Sequence, residues 1–269
     1  MNDFLQSIIR QAGAIALTYY RRGVTAAEKS NRGDVVTEAD MAVSAFLVDA
    51  IHRRYPDHHI ASEELEHDLN PGAPIQWLID PIDGTRNFAN AIPVWCILIG
   101  VLQDGKPYLG AIYDAVHDTL FFAERGQGAY QNGQRITVNQ TDTLEHAYGW
   151  FSRAGEQGLY GRFIPEYRLA LTRLIHDTTV WIHYSGTMLS LGYLASGAMD
   201  FCAFNHGLDH DLVGPVLICQ EAGAVVTDHC GQPWQPGRQD VVIANPVLHP
   251  KLLSLFEKRS SHDVLASSR

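Results

Sequence analysis

Asp80 and Asp83 close the apolar stretch of "LIDPIDGTRNF" (residues 78–88), with Pro81 and Ile82 between them and Gly84 and Thr85 after them. One carboxylate there would serve as a turn residue. Two of them, ahead of what reads as a helix start, call for a positive charge. Further candidates lie elsewhere: Glu63 and Glu64 in "ASEELEH", Asp34 and Asp40 in "DVVTEAD", and Asp211 in "LDHDLVG". Carboxylate and carbonyl oxygens are what a hard cation such as Mg²⁺ binds, usually completed by waters and substrate phosphate. A turn through Pro81 and Ile82 lets both aspartates face one centre and frees the Ile82 carbonyl as another oxygen ligand. Gly84 permits close backbone approach, and the Gly84 and Thr85 amides at a helix start form a cradle for an anion. Carboxylates beside anion-binding amides make sense with a metal held between them and a phosphate.

Each of these residues also has an ordinary role. Asp211, directly before an apolar helical run, suits a helix N-cap, and Asp40 suits the same role on an earlier helix. Glu63 and Glu64 suit a solvated acidic loop. The run "NHGLDHD", with His206, Asp209, His210 and Asp211, offers histidine and carboxylate ligands, but no helical or strand spacing converges all four. His210 fits the lining of a substrate pocket. Lys29 and Arg86 are either solvated charges or phosphate contacts.

The elements that must position these groups are legible as patterns. Apolar residues at Leu5, Ile8, Ile9, Ala12, Ile15, Ala16 and Tyr19 predict a helix over 3–22, and a second is expected over 38–54. Between them "EKSNRGD" is a polar stretch. Strands are expected at "HHIAS" and "IQWLID", then an antiparallel meander from Val94 to Ile136, punctuated by "QDGK", "VHD", "RGQG" and "NGQ". From about 145 the rhythm alternates: a helix near 160–175, strand "TVWIHY", helix "GTMLSLGYLASG", strand "MDFCAF", helix "DLVGPVLICQEAG", strands "AVVTD" and "DVVIAN", and a final helix "PVLHPKLLSLFEK". This predicts an α/β (α+β) chain in two halves of one unit, 1–145 with most of the metal ligands and 146–269 with Asp211 and the substrate side.

The 269 residues, 46% hydrophobic and 19% charged, are enough for a substantial core. The formal net charge of −10 argues against a nucleic-acid surface. Four cysteines without a C-x-x-C pair predict buried free thiols and fit a cytoplasmic setting. No segment is long and apolar enough for a bilayer span, so no membrane partner is expected.

"WLIDPIDGTRNF" resembles the first signature of the inositol monophosphatase family, and "DLVGPVLICQEAGAVV" resembles the second. The likeness extends over residues 5–258, through "DVVTEAD" with Lys29 ahead of it, "YPDHHIASEE" and "SGTMLSLGYLASGAMD". It implies the layered αβαβα sugar-phosphatase fold, two or three Mg²⁺ ions with Mn²⁺ as a substitute, lithium sensitivity and a homodimer. Carried onto this chain, Glu63, Asp80 and the Ile82 carbonyl would hold one metal, and Asp80, Asp83 and Asp211 a second. Thr85 with Glu63 would orient the attacking water, backed by Asp40 and Thr37. Gly84, Thr85, Ser185 and Gly186 would meet the phosphate or substrate. The implied activity is hydrolysis of a small phosphorylated metabolite, a sugar, inositol, histidinol or 3′-nucleotide phosphate; the alternative is a regulatory binding protein that retains the fold. Three positions depart from the pattern: Ser62 stands for a glycine, His210 for a tryptophan, and Phe204 for a glutamate that grips ring hydroxyls. Phe204 and His210 are therefore expected to face the leaving alcohol and to make inositol phosphate a poor substrate.

Overall fold

The computed structural model describes residues 1–24, 27–31, 34–152 and 163–257. The first helix, α1 (Asn2–Arg22), buries Leu5, Ile8, Ile9, Ala12 and Ala16, the predicted stripe. The polar stretch after it is not a loop throughout. It pairs as β1 (Ala27–Asn31) and β2 (Asp34–Val36), an antiparallel two-stranded sheet that polarity alone does not announce. Then α2 (Glu38–Arg54) begins at a capping box: the Thr37 hydroxyl accepts from the Ala39 amide, and Asp40 accepts from the Thr37 amide.

A seven-stranded sheet follows. It comprises β3 (His59–Ser62), β4 (Ile75–Asp83), then, after the short α3 (Thr85–Ala89), β5 (Cys96–Gln103), β6 (Lys106–Asp114), β7 (Thr119–Glu124), β8 (Gly128–Gln131) and β9 (Gln134–Ile136). Its spatial order is the chain order, with β3 parallel to β4 and the rest antiparallel, as expected of a meander. The second half supplies β10 (Tyr148–Ser152), α4 (Ile164–Asp177), β11 (Trp181–His183), α5 (Leu189–Ala195), β12 (Phe201–Phe204), α6 (Asp209–Glu221), β13 (Val225–Thr227), β14 (Val241–Ala244) and α7 (His249–Leu253). Its five strands form a second sheet in the order β11-β10-β12-β14-β13. Strand β10 is the one element of this half that the sequence pattern did not announce.

The layers follow from what packs on what. Helices α1 and α2 cover one face of the large sheet, in a core with Trp77, Ile79 and Ile97. Helices α5 and α6 fill the space between the two sheets, together with Leu98, Phe121 and Cys202. Beyond the second sheet, Tyr167, Ala170 and Leu174 of α4 and Leu252 of α7 pack on Phe151, Phe201 and Val242. The result is the expected αβαβα stack.

Helix α6 sits unusually close to the large sheet because glycines meet there. A Cβ on Gly110 would lie 2.3 Å from the Gly214 carbonyl oxygen, and one on Gly214 would lie 2.7 Å from that of Ile99. This contact fixes the height of the first turn of α6, and therefore of Asp211, above β4 and β5. Three of the four cysteines are buried as expected; Cys230 is exposed, in a turn after β13. Among the described residues no helix is long and apolar enough to cross a membrane.

Candidate active site

The chain between Asp80 and Asp83 is not a turn leaving the sheet. Strand β4 continues through Pro81 to Asp83, and its register on β5 shifts: Asp80 pairs with Leu98, and Asp83 with Cys96. Two residues on β4 thus face one on β5, the signature of a bulge. Residues three apart on a regular strand point to opposite faces; the extra residue puts both aspartates on the same one. Proline is tolerated at a bulge because its missing N–H is not needed by the ladder. The Asp80 carboxylate accepts the Ile82 amide at 3.0 Å, which bends the bulge back on itself.

Asp211 comes down onto this pair from α6. One ligand atom each from Asp80, Asp83 and Asp211 lies within 4.8 Å of the others. Asp211 is not the N-cap, a position that falls to Leu208; from inside the first turn its carboxylate accepts the Leu208 amide at 2.6 Å, and it still completes the cluster. Asp83 is held most firmly. One of its oxygens accepts the Thr187 hydroxyl, the Met188 amide and the Cys96 thiol.

Glu63 is exposed and lines the same cavity, but stands outside the three-carboxylate group. Its charge nevertheless reaches the cluster. Burial pushes the Asp80 carboxyl well above the usual range, with Glu63 the largest neighbouring charge, ahead of Asp83 and Asp211. Burial raises Asp83 to about 7, against the Thr187 bond that lowers it, and raises Asp211 against the pull of His210. Carboxylates pressed together in a low dielectric hold protons unless a cation replaces them. Oxygen-only donors, shared geometry and uncompensated charge all fit a hard divalent ion, and a protein core gains nothing from such a cluster otherwise.

Behind the cluster, Asp40 and Thr37 are buried and do not line the cavity. The Asp40 carboxylate accepts the Thr37 hydroxyl at 2.6 Å and the Thr85 hydroxyl at 3.3 Å; Thr85 also donates to the Ile82 carbonyl at 2.9 Å. Burial raises Asp40 to about 6, with the Thr37 bonds opposing. Thr85 is thus tied to both the second layer and the bulge while lining the cavity. Gly84 has a left-handed φ of 92°, and a Cβ there would lie 3.2 Å from Thr187 and 3.3 Å from the Val94 carbonyl oxygen. The close approach this glycine allows is to the protein itself.

The cavity above the cluster measures about 540 Å³. Ser185 and Gly186 line it, as does Arg86 at its exposed rim. The side chain of Lys29 lies outside the described residues. Two expectations need correction. Phe204 does not face the cavity: it is wholly buried in β12, its ring stacked on Trp150 at 4.9 Å. A strand inside a sheet hides every second residue between layers, and Phe204 is one of those. Nor is His210 among the lining residues. It sits beside Asp211 with its Nε2 3.5 Å from that carboxylate. His206, from the loop before α6, takes the wall, its ring bonded to the Ser152 hydroxyl at 2.9 Å. Trp150, Tyr184, Ile92 and Thr187 are lining residues that sequence reasoning missed. An aromatic run, "YGWFS", was the available signal for Trp150, but nothing in its spacing links it to residues 70 positions away.

The sequence profile of the inositol monophosphatase family matches residues 1–261. The chain is 28% identical over 258 residues to a protein of Thermotoga maritima named fructose-1,6-bisphosphatase/inositol-1-monophosphatase, covering 95% of each. It is 33% identical over 233 residues to the Nus factor SuhB of Haemophilus influenzae, covering 85% of this chain and 86% of that one. The crystal structure of the extragenic suppressor protein suhB from Bartonella henselae superposes with a TM-score of 0.87 at 25% identity, over 96% of this chain and 98% of the other.

Proposed function

Because the chain belongs to the inositol monophosphatase family, we propose that it is a Mg²⁺-dependent phosphomonoesterase acting on a small phosphorylated alcohol. The observation that carries this reading is the convergence of Asp80, Asp83 and Asp211, drawn from two elements and held by backbone donors, with Asp83 and Asp211 lining a cavity and Asp80 buried beside them. These three, with Glu63 and the Ile82 carbonyl, would hold two or three ions, Mn²⁺ substituting for Mg²⁺. When bound, such ions supply Lewis-acid polarisation of the phosphoryl group and a lowered pKa for the nucleophilic water. The chain's own residues do the positioning. Thr85 and Glu63 orient the attacking water, and Asp40, braced by Thr37, fixes the Thr85 hydroxyl. Gly84, Ser185 and Gly186 border the space for the phosphate ester, with the Arg86 guanidinium at the rim for a further anionic group.

The relatives carry both phosphatase names and the name of a Nus factor, which keeps a regulatory binding role as the second reading. We favour the enzyme because a protein that only binds a partner has no need of a buried acidic cluster opening into a cavity. The net charge of −10 also favours a small-molecule partner over nucleic acid. Lithium inhibition, a cytoplasmic location and a homodimer follow from the same family reading. Exposed Trp181 and Tyr184, on and just after the edge strand β11, offer a surface for a second copy. Phosphate release from a panel of sugar, inositol, histidinol and 3′-nucleotide phosphates, with Mg²⁺ and with chelator, tests the proposal. Release on at least one ester that chelator stops is expected; no release from any ester would leave the binding role.

A further inference from the structure

Among the described residues one thiol donates to a carboxylate, and the carboxylate is that of Asp83. Cys96 opens β5, and the bulge in β4 sets it across the ladder from Asp83. Its thiol donates to Asp83 Oδ2 at 3.2 Å and lies 3.4 Å from the Thr187 hydroxyl oxygen. The Thr187 hydroxyl and the Met188 amide donate to that same Oδ2. Three donors thus crowd onto one oxygen, although a carboxylate oxygen has only about two lone-pair sites. Oδ1 takes none of these bonds and is the atom left over for a cation.

The grip on Asp83 comes from two parts of the chain. Thr187 and Met188 lead into α5, in the second half, whereas Cys96 belongs to the large sheet that carries Asp83 itself. The first pair ties the carboxylate to the second half; Cys96 ties it to its own sheet. A thiol suits this place. Cys96 is fully buried in the apolar layer between the sheets, in one cluster with Leu78, Leu98 and Met188. Free cysteine packs in such a layer as a small hydrophobe and still carries a donor. Serine would donate but brings a more polar group into the layer, and valine would pack but donates nothing. Cys219, equally buried, is spent differently: its thiol meets the Leu191 carbonyl at 3.4 Å, a contact between α6 and α5.

We infer that Cys96 is a positioning residue of the metal centre: together with Thr187 and Met188 it occupies Asp83 Oδ2 and leaves Oδ1 as the single oxygen offered to the ion. The inference rests on the phosphatase reading above. Mg²⁺ demands near-ideal octahedral geometry, so a carboxylate free to rotate is a poorer ligand for it. Loss of a partner behind a metal ligand costs about 10- to 100-fold in metal affinity. A thiol is a weak donor, which puts Cys96 at the lower end of that range.

Calorimetric titration of Mg²⁺ into wild type, Cys96→Ser and Cys96→Val separates positioning from packing, because the two substitutions fail in opposite ways. Valine keeps the bulk and loses the donor, and is expected to weaken Mg²⁺ binding about tenfold; serine keeps the donor and should stay within about threefold of wild type. Valine equal to wild type, or serine weakened as much as valine, would overturn the inference and leave the phosphatase reading standing. Wild type that binds no divalent cation would remove that reading and the inference with it. Should a variant fail to fold, infrared spectroscopy of wild type decides. The S–H stretch lies clear of other protein bands, and an ion on Asp83 draws charge away from the oxygen that the Cys96 thiol meets. One S–H band should therefore shift as Mg²⁺ saturates the protein. A difference spectrum with and without Mg²⁺ that is flat in the S–H region, in protein shown by calorimetry to bind the ion, rejects the inference.

Discussion

The floor and the wall of the cavity are made of different materials and anchored differently. On the floor, Asp80, Asp83 and Asp211 each accept at least one backbone amide, and the same cluster carries the largest electrostatic strain in the site. On the wall, Trp150 and His206 are held by ring stacking and one hydroxyl, with no charge to balance. On the function proposed above, the geometry of the floor would be dictated by the ion it holds, whatever the substrate. The wall has no such external constraint and is free to differ between proteins that share the chemistry. Changes on the floor should therefore abolish turnover of every ester, and changes on the wall should redistribute turnover among esters.

The strongest way to break that division is at the floor. Asp80→Asn and Asp83→Asn should each lower kcat/KM on all esters by roughly a thousandfold, the several kcal/mol expected from losing a charged metal ligand. The double variant should be little worse than either single one, since both serve one cluster. Steady-state kinetics over the ester panel check this. A variant that loses one ester and keeps another would show that the floor also selects substrate.

Thr187 tests whether floor and second half are coupled. Its hydroxyl donates to Asp83, and on the function proposed above a donor in that position would orient a metal ligand without touching the ion. Thr187→Val should weaken Mg²⁺ binding by about 10- to 100-fold, and Thr187→Ser should restore it. Calorimetric titration with Mg²⁺ separates this from a general loss of fold, which serine would not rescue.

The same cluster predicts an unusual pH response. Asp40 is raised to about 6 and Asp83 to about 7, so the folded protein without metal binds more protons than the unfolded chain above pH 4. Stability from these groups is present below the unfolded carboxylate range and is lost as pH rises toward 7. In chelator, Tm should therefore fall between pH 5 and pH 7.5. With excess Mg²⁺ the fall should shrink or reverse, because the ion displaces those protons. Parallel pH series of thermal melts give the comparison directly; curves with the same slope with and without Mg²⁺ would detach the ion from the cluster.

How much of this was legible in the sequence follows the same division. Asp80, Asp83, Gly84 and Thr85 are neighbours, so a single short motif announced them, and the αβαβα layers followed from periodicity and resemblance. The bulge that puts both aspartates on one face was not legible, because register is a property of two strands. The wall is assembled from β10, the loop after β11 and the loop after β12, and no local pattern says which of their aromatic residues turn inward. Phe204 was misassigned for this reason. It occupies the position from which a longer polar side chain was expected to reach the substrate, but an apolar ring there gains more by packing between the sheets.

Phe204→Leu gives the smallest expected effect on catalysis and the cleanest check of that correction. The ring is wholly buried, stacked on Trp150 and tilted against His206, so trimming it removes packing and leaves a void behind the wall. Stability should fall by about 1–3 kcal/mol, toward the low end if Trp150 settles into the space. Because Phe204 contributes no atom to the cavity lining, KM for each ester should stay within about twofold of wild type, and the ranking of esters should not change. Thermal melts and kinetics on the same panel read both quantities. A lower Tm with an unchanged ranking is the signature of a residue that supports the wall from behind. A changed ranking with an unchanged Tm would mean that the ring reaches the leaving alcohol after all, and that the wall begins one layer deeper than Trp150.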